Sequence, residues 1–232
     1  MRKILRPTSV ALLLAAFAAI LFDTRAAAQE GGAFYVGGNY GYTLSTYDRA
    51  ALDDTLVGAF NASGYDLVLA KAFLHDKEAP WSADIGYMIS PYLSVEASYL
   101  DLRTLRYFAR GTETTVFGST PLATNISINS HGPTLALVGV LPMTNDWSLN
   151  ARAGGYESKT TTDYGFVIDT GPTSGAASES STSILAGVGT AYTLGAHWIL
   201  KLDYLYLNHI GEKFLDKPFN VNLLTAGVAY AF

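Results

Sequence analysis

The sequence predicts an all-β protein, an eight-stranded antiparallel up-and-down transmembrane β-barrel, and three observations carry that expectation. Apolar residues recur at every second position in eight separate segments, the period of a strand with one greasy face. The connections between those segments alternate between short and long. The N-terminus carries the pattern of an export signal.

Residues 1–28 open with Arg2, Lys3 and Arg6, run through an apolar stretch from about Val10 to Phe22, and end on Ala26, Ala27 and Ala28. These are the three regions of a secretory signal peptide cleaved after Ala28. The apolar run is short for a membrane-spanning helix of about 20 residues. Cysteine is absent from the 232 residues, which excludes lipoprotein attachment and disulfides. Removing the leader takes away four basic residues and one acidic residue, leaving 11 basic against 19 acidic, net −8. That balance argues against a nucleic-acid partner. Residues 29–232 suit one domain, and none of their apolar runs is long enough for a helical span.

The first predicted strand, "AFYVGGNYGYTL", sets Phe34, Val36, Tyr40, Tyr42 and Leu44 against Tyr35, Gly37, Asn39, Gly41 and Thr43. In "WSADIGYMIS", Trp81, Ala83, Ile85, Tyr87 and Ile89 oppose Ser82, Asp84, Gly86, Met88 and Ser90. "YLSVEASYL" follows after a tight turn and sets Leu93, Val95, Ala97 and Tyr99 against Ser94, Glu96 and Ser98, which makes the pair a hairpin. "GPTLALVGVL" is apolar on both faces, so its register stays open. "WSLNARAGGYE" places Asn150 and Arg152 on its polar side, and "SILAGVGTAYTL" places Gly187, Gly189, Ala191 and Thr193 there. "WILKLDYLYL" sets Trp198, Leu200, Leu202, Tyr204 and Tyr206 against Ile199, Lys201, Asp203 and Leu205. The last strand, "LLTAGVAYAF", alternates Leu224, Ala226, Val228, Tyr230 and Phe232 with small residues.

Short connections follow the second, fourth and sixth of these strands: Pro91, the stretch from Pro142 to Asp146, and the stretch from Gly195 to His197. Long ones, at about 45–80, 102–130, 158–181 and 208–219, follow the first, third, fifth and seventh. A soluble sandwich has no reason to sort its loops this way. A membrane barrel does, with short turns and both chain ends periplasmic and the long loops extracellular. Trp81, Tyr87, Trp147, Trp198, Tyr204 and Tyr206 fall toward strand ends, the positions of an aromatic girdle at the membrane interfaces.

In order and spacing, "DIGYMISPYLSVEASYLDL", "LALVGVLPMTNDWSLNARAGGYES", "LDYLYLNHIG" and the terminal "TAGVAYAF" resemble the eight-stranded outer-membrane barrel family of the OmpA transmembrane domain and the opacity-type surface antigens. The resemblance covers nearly all of residues 29–232. It implies a Gram-negative outer membrane, contact with its lipid and lipopolysaccharide, and a C-terminal signal (Val228, Tyr230, Phe232) read by the barrel-assembly machinery. Since Phe232 ends the chain, the peptidoglycan-binding domain of full-length OmpA is not expected here, nor a tether to the cell wall.

Eight strands leave a lumen just wide enough for side chains. Asp84, Glu96, Arg152, Lys201 and Asp203 are predicted to point into it, where charges must pair. Glu96 with Arg152, and Lys201 with either Asp84 or Asp203, are the candidate pairs. Such a network either plugs the tube or gates a narrow porin-like channel. An enzyme acting on lipid A would need a His with a Ser and a carboxylate at the outer rim; His209 has Glu212 near it but no Ser on its own strand. His75, His131 and His197 lack partners at metal-ligand spacing, so no catalytic residue, metal or cofactor is expected. The loops instead suggest a structural, surface-exposed role: envelope integrity, adhesion to a host or neighbouring-cell ligand, or a surface antigen. "TTTDYGFVIDTGPTSGAASESST" has the composition of a flexible loop. The first long loop has enough apolar residues for a short helix from Ala50 to Phe60 or for strand extensions. The pair Asp53–Asp54 reads as solvated, and the acceptor patterns at Asn61 and Asn125 carry no weight in a bacterial setting.

Overall fold

A computed structural model describes residues 32–44, 49–75, 79–115, 118–168, 171–210 and 219–232; the expected leader, 1–28, lies outside the described residues. Among these residues run β1 (Phe34–Thr43), α1 (Arg49–Ala62), β2 (Asp66–His75), β3 (Trp81–Ser90), β4 (Leu93–Thr115), β5 (Gly118–Pro142), β6 (Trp147–Ile168), β7 (Gly171–Leu194), β8 (Trp198–Ile210) and β9 (Phe219–Ala231). Each strand of the set β3 to β9 pairs antiparallel with the next, β1 pairs with β3, and β9 returns to β1. Eight strands therefore close a ring. Closure removes every unpaired edge from the spanning region, as a hydrocarbon surround requires.

The side-chain alternation sorts the two faces of that ring. Leu135, Leu137, Ile184, Val188, Leu200, Leu202 and Val228 are exposed on the outside. Their neighbours Ala136, Val138, Leu185, Lys201, Asp203 and Ala229 are buried inside. In β5, whose register the sequence left open, the pairing Leu135↔Gly155 and Ala136↔Gly154 continues the same order.

The connections differ from the sequence expectation. The stretches 102–130 and 158–181, expected as loops, are largely strand, because β4 to β7 run for 23, 25, 22 and 24 residues, about twice what a membrane crossing needs. In the first hairpin the signal was present: Leu105, Tyr107 and Ala109 are buried between exposed Arg106, Phe108 and Arg110. In the second, Ser and Thr form a ladder rather than a flexible loop. Ser158 bonds Ser181 at 2.9 Å and Thr161 bonds Ser178 at 3.1 Å across the pair, and β-branched Thr suits a pleated strand.

The first long connection holds both α1 and β2, the two options that the sequence offered for it. β2 makes nine strands, but it stands outside the ring and pairs with the upper half of β4. β4 changes partner at a bulge. Below it Trp81↔Asp101 is the last pair with β3, and above it His75↔Arg106 begins the pairing with β2. Arg103 sits between at φ 66°, its N–H donating to Asp101 Oδ1 at 2.7 Å, a local turn that offsets part of the left-handed strain. β2 and the upper halves of β4 to β7 form a five-stranded platform. α1 packs on its inner face through Leu56, with Leu67, Tyr107, Ala109 and Leu122 beneath.

Candidate functional site

The lumen is built from the slim faces of the ring strands. All five predicted inward charges are buried there, with side chains 0–7% exposed. Arg152 Nη1 lies 3.0 Å from Glu96 Oε1 and Nη2 lies 3.1 Å from Asp203 Oδ2. Lys201 Nζ lies 2.6 Å from Asp84 Oδ2 and 3.7 Å from Glu96 Oε2. Of the two partners the sequence offered for Lys201, the structure places Asp84 on it; Asp203 lies on Arg152. Stagger between strands set this outcome: Lys201 and Asp203 are successive inward residues of β8, and Arg152, two strands away on β6, passes over Gly187 of β7 to reach Asp203.

Two neutral side chains complete the cluster. Tyr35 Oη donates to Glu96 Oε2 at 2.9 Å, and Asn39 Nδ2 donates to Asp84 Oδ1 at 2.6 Å. Sequence reasoning placed both on the inner face without assigning them a part. Glycine supplies the room. A Cβ on Gly86 would fall within the Tyr35 ring, one on Gly189 would meet the Asp203 carboxylate, and one on Gly227 would meet the Asn39 amide. Gly-rich inner faces in the sequence were the signal that a large side chain of the adjacent strand lies over each glycine, since Tyr35↔Gly86, Asn39↔Gly227 and Gly189↔Asp203 are register partners.

The cluster divides the lumen into layers. On the side of the tight turns lies a vestibule of about 310 Å³, roofed by Glu96, Arg152 and Lys201. Beyond the cluster is a void of about 20 Å³ near Ser98, Thr134 and Thr225. An apolar layer follows, in which Tyr156, Leu207, Ile210 and Leu223 are each 0% exposed. The sequence showed Leu205 and Leu223 facing inward but gave no sign that inward apolar residues of six strands would meet in one cluster.

Aromatic residues occupy two tiers. At the turn end, Trp147 contacts Tyr192 (5.0 Å), Trp198 contacts Tyr230 (5.1 Å) and Tyr87 contacts Phe34 (4.7 Å). Toward the platform, Trp81 contacts Tyr99 (6.3 Å), and Tyr204 Oη donates to Asn222 Oδ1 at 2.7 Å; Tyr206, half-buried, precedes Leu207 in the same strand. Val228, Tyr230 and Phe232 lie on the outer face of the closing strand, where the Phe232 N–H donates to Phe34 O at 2.9 Å.

The remaining candidates separate. The His209 side chain and Glu212 lie outside the described residues. His131 bonds Asn129 beside the Tyr99 ring, and His197 bonds Ala231 O at 2.9 Å while stacked on Tyr230. His75 is exposed at the end of β2. Among the described residues there is no group of three or more metal-ligating side chains. Asp53, read as solvated, accepts a hydrogen bond from Tyr107 Oη, whereas Asp54 is exposed. Asn61 is exposed at the end of α1, and Asn125 is exposed on the outer face of β5.

A family model for the OmpA-like transmembrane domain matches residues 29–232. The chain is 26% identical to outer membrane protein A of Serratia marcescens over 230 residues, covering 97% of this chain and 55% of that protein; it spans about half the length of that relative. Among solved structures it is similar to OprG of Pseudomonas aeruginosa (16% identity, 88% and 97% coverage, TM-score 0.48). It is also similar to Ail of Yersinia pestis, solved with a heparin analogue (16%, 87% and 99%, 0.45), and to the protease OmpT of Escherichia coli (10%, 87% and 94%, 0.43).

Proposed function

Because the chain belongs to the OmpA-like transmembrane domain family and is an outer-membrane β-barrel of the Gram-negative envelope, we propose that it serves as a closed anchor holding a strand-built platform on the cell surface. In this reading it neither conducts nor catalyses. One observation carries it: the lumen is crossed by a paired charge cluster and then by an apolar layer. A permeating ion would have to displace the pairs and then enter a tightly packed, mainly apolar layer, and both steps are costly. About half of β4 to β7 is then devoted to the platform, the part available for contact with other surfaces. Tyr87, Trp147 and Trp198 would form the periplasmic aromatic belt and Trp81, Tyr204 and Tyr206 the outer one. Val228, Tyr230 and Phe232 would be read by the assembly machinery.

The chain lacks native cysteine, so single-cysteine labelling is clean. Ser180→Cys on the platform is expected to react with an impermeant maleimide on intact cells, and Asp146→Cys only after permeabilisation; the reverse pattern would refute the orientation. In planar bilayers the wild-type barrel is expected to show no unitary conductance. Regular openings would favour the channel reading instead, which the charged roof of the vestibule supports. Deleting Phe232 is expected to lower the heat-modifiable form in outer-membrane fractions, and unchanged assembly would remove the terminal residue from the signal.

A further inference from the structure

The outer face of the platform carries a second feature, unconnected with the lumen. Two cross-strand rows lie side by side on it. One runs Lys71, Arg110, Ala123, Val167, Pro172; the other runs Phe73, Phe108, Asn125, Gly165, Ser174. Together they line an open groove of about 670 Å³. Phe73 is 65% exposed and Phe108 42%, and Lys71 and Arg110 are exposed directly opposite each other. The floor is made of small residues, Ala123, Gly165 and Ser174. Among the described residues, Lys71 and Arg110 are the only charged ones in its lining, in a chain of net charge −5. Among the described residues of β6, the carboxylate on the same face is Asp163, one row closer to the ring, opposite Ser127.

The direction of the groove matters as much as its chemistry. β5 runs without a register shift from Ala123 to Leu137, so Asn125 shares the face of the exposed, lipid-facing Leu135 and Leu137. The groove therefore opens sideways, over the membrane surface, and not upward. From Pro133, opposite Tyr99 in the outer aromatic tier, to Asn125 is about 27 Å of strand at roughly 3.4 Å per residue. At the usual barrel tilt this is about 20 Å above the belt.

We propose that this groove docks the phosphorylated core saccharide of the lipopolysaccharide that surrounds the barrel. Lys71 and Arg110 meet phosphate, with the Arg110 fork able to take two phosphate oxygens. The exposed faces of Phe73 and Phe108 cover the C–H faces of sugar rings, and the Asn125 amide meets hydroxyls. A saccharide anchored in the adjacent leaflet stands at this height already and binds at the high effective concentration of a tethered ligand. A soluble polyanion would have to reach the same wall through that saccharide layer. The extracellular placement of the groove rests on the orientation proposed above, and cysteine labelling tests that separately.

The test uses the folded chain in detergent micelles, so it does not depend on orientation in the cell. Purified, fully deacylated lipopolysaccharide core is titrated by calorimetry with its phosphates intact and after their removal. Binding is expected for the phosphorylated core, with at least a tenfold loss on dephosphorylation. The double variant Lys71→Gln/Arg110→Gln and the double variant Phe73→Ala/Phe108→Ala are each expected to weaken binding at least tenfold while keeping the heat-modifiable fold. Equal affinity with and without phosphate, or full affinity in the folded double variants, would overturn the proposal. A heparin fragment that binds the groove while the core saccharide does not would also overturn it and assign the groove to a sulfated polymer.

Discussion

The lumen and the platform use the same inner face of the same strands, yet they are closed by opposite chemistry. Within the ring the face carries two cations and three carboxylates in one buried cluster. A few residues further along β4 and β5, it carries Tyr107, Ala109, Leu122 and Ile126 under α1, with Glu113 buried on the same face. The difference follows from what each region can enclose. A closed ring surrounds a charged side chain on every side, so partners from strands far apart in sequence can converge on it: Glu96, Arg152 and Asp203 come from β4, β6 and β8. The platform has five strands and no closure, because β8 pairs with β7 only as far as Leu185↔Leu207. The platform therefore covers most of the face under α1 by hydrophobic burial against that added helix, which needs no convergence of charged partners from every side.

This contrast can be broken at graded cost. The largest effect is expected from Arg152→Ala, which leaves Glu96 and Asp203 facing each other with one cation removed. A loss of about 3–5 kcal/mol is expected for a broken buried network, read as a lowered urea midpoint for the heat-modifiable form. Replacing Glu96, Arg152 and Asp203 together by uncharged residues of similar volume should restore most of it. Failure of the triple variant to recover would mean that the charges contribute more than mutual compensation.

Leu56→Ala should cost about 2–5 kcal/mol by the usual penalty for emptying a buried leucine site, but locally. Protease cleavage and amide exchange within α1 and β2 are expected to rise while the unfolding midpoint of the ring stays in place. A parallel fall in both would show the two regions to be one cooperative unit.

Gly86→Ala tests the room that the cluster needs. Its methyl group displaces the Tyr35 ring and with it the hydrogen bond to Glu96, for about 1–3 kcal/mol, whereas Gly38→Ala, with only Ser82 O within 4 Å at 3.6 Å, should change the midpoint little. The smallest effect is expected from Asp53→Asn, which weakens the Tyr107 contact of the helix by about 1 kcal/mol and is best read by amide exchange across α1.

Much of this architecture was legible in the sequence, for a simple reason. Strand alternation is local, so Asp84, Glu96, Arg152, Lys201 and Asp203 could be assigned to one face from their own segments, and the order of short and long connections indicated a closed meander. Partnership was not legible. Whether Asp203 meets Lys201, two residues away, or Arg152, two strands away, depends on strand stagger, which no segment contains. The platform was partly hidden as well. The alternation of Leu105, Tyr107 and Ala109 was visible, but the Ser/Thr run of 158–181 lacks an apolar period, and its strand character comes from being paired.

By itself, then, the sequence determined the faces: which residues of each ring strand except β5 look outward to lipid and which look inward, because a period of two leaves no other choice. Only the tertiary structure decided the levels, meaning which inward residues from different strands share a height. That is how five charges gather into one cluster and how Tyr156, Leu207, Ile210 and Leu223 gather into an apolar layer. Tilt and stagger set those heights, and both are properties of the closed ring and of no single strand.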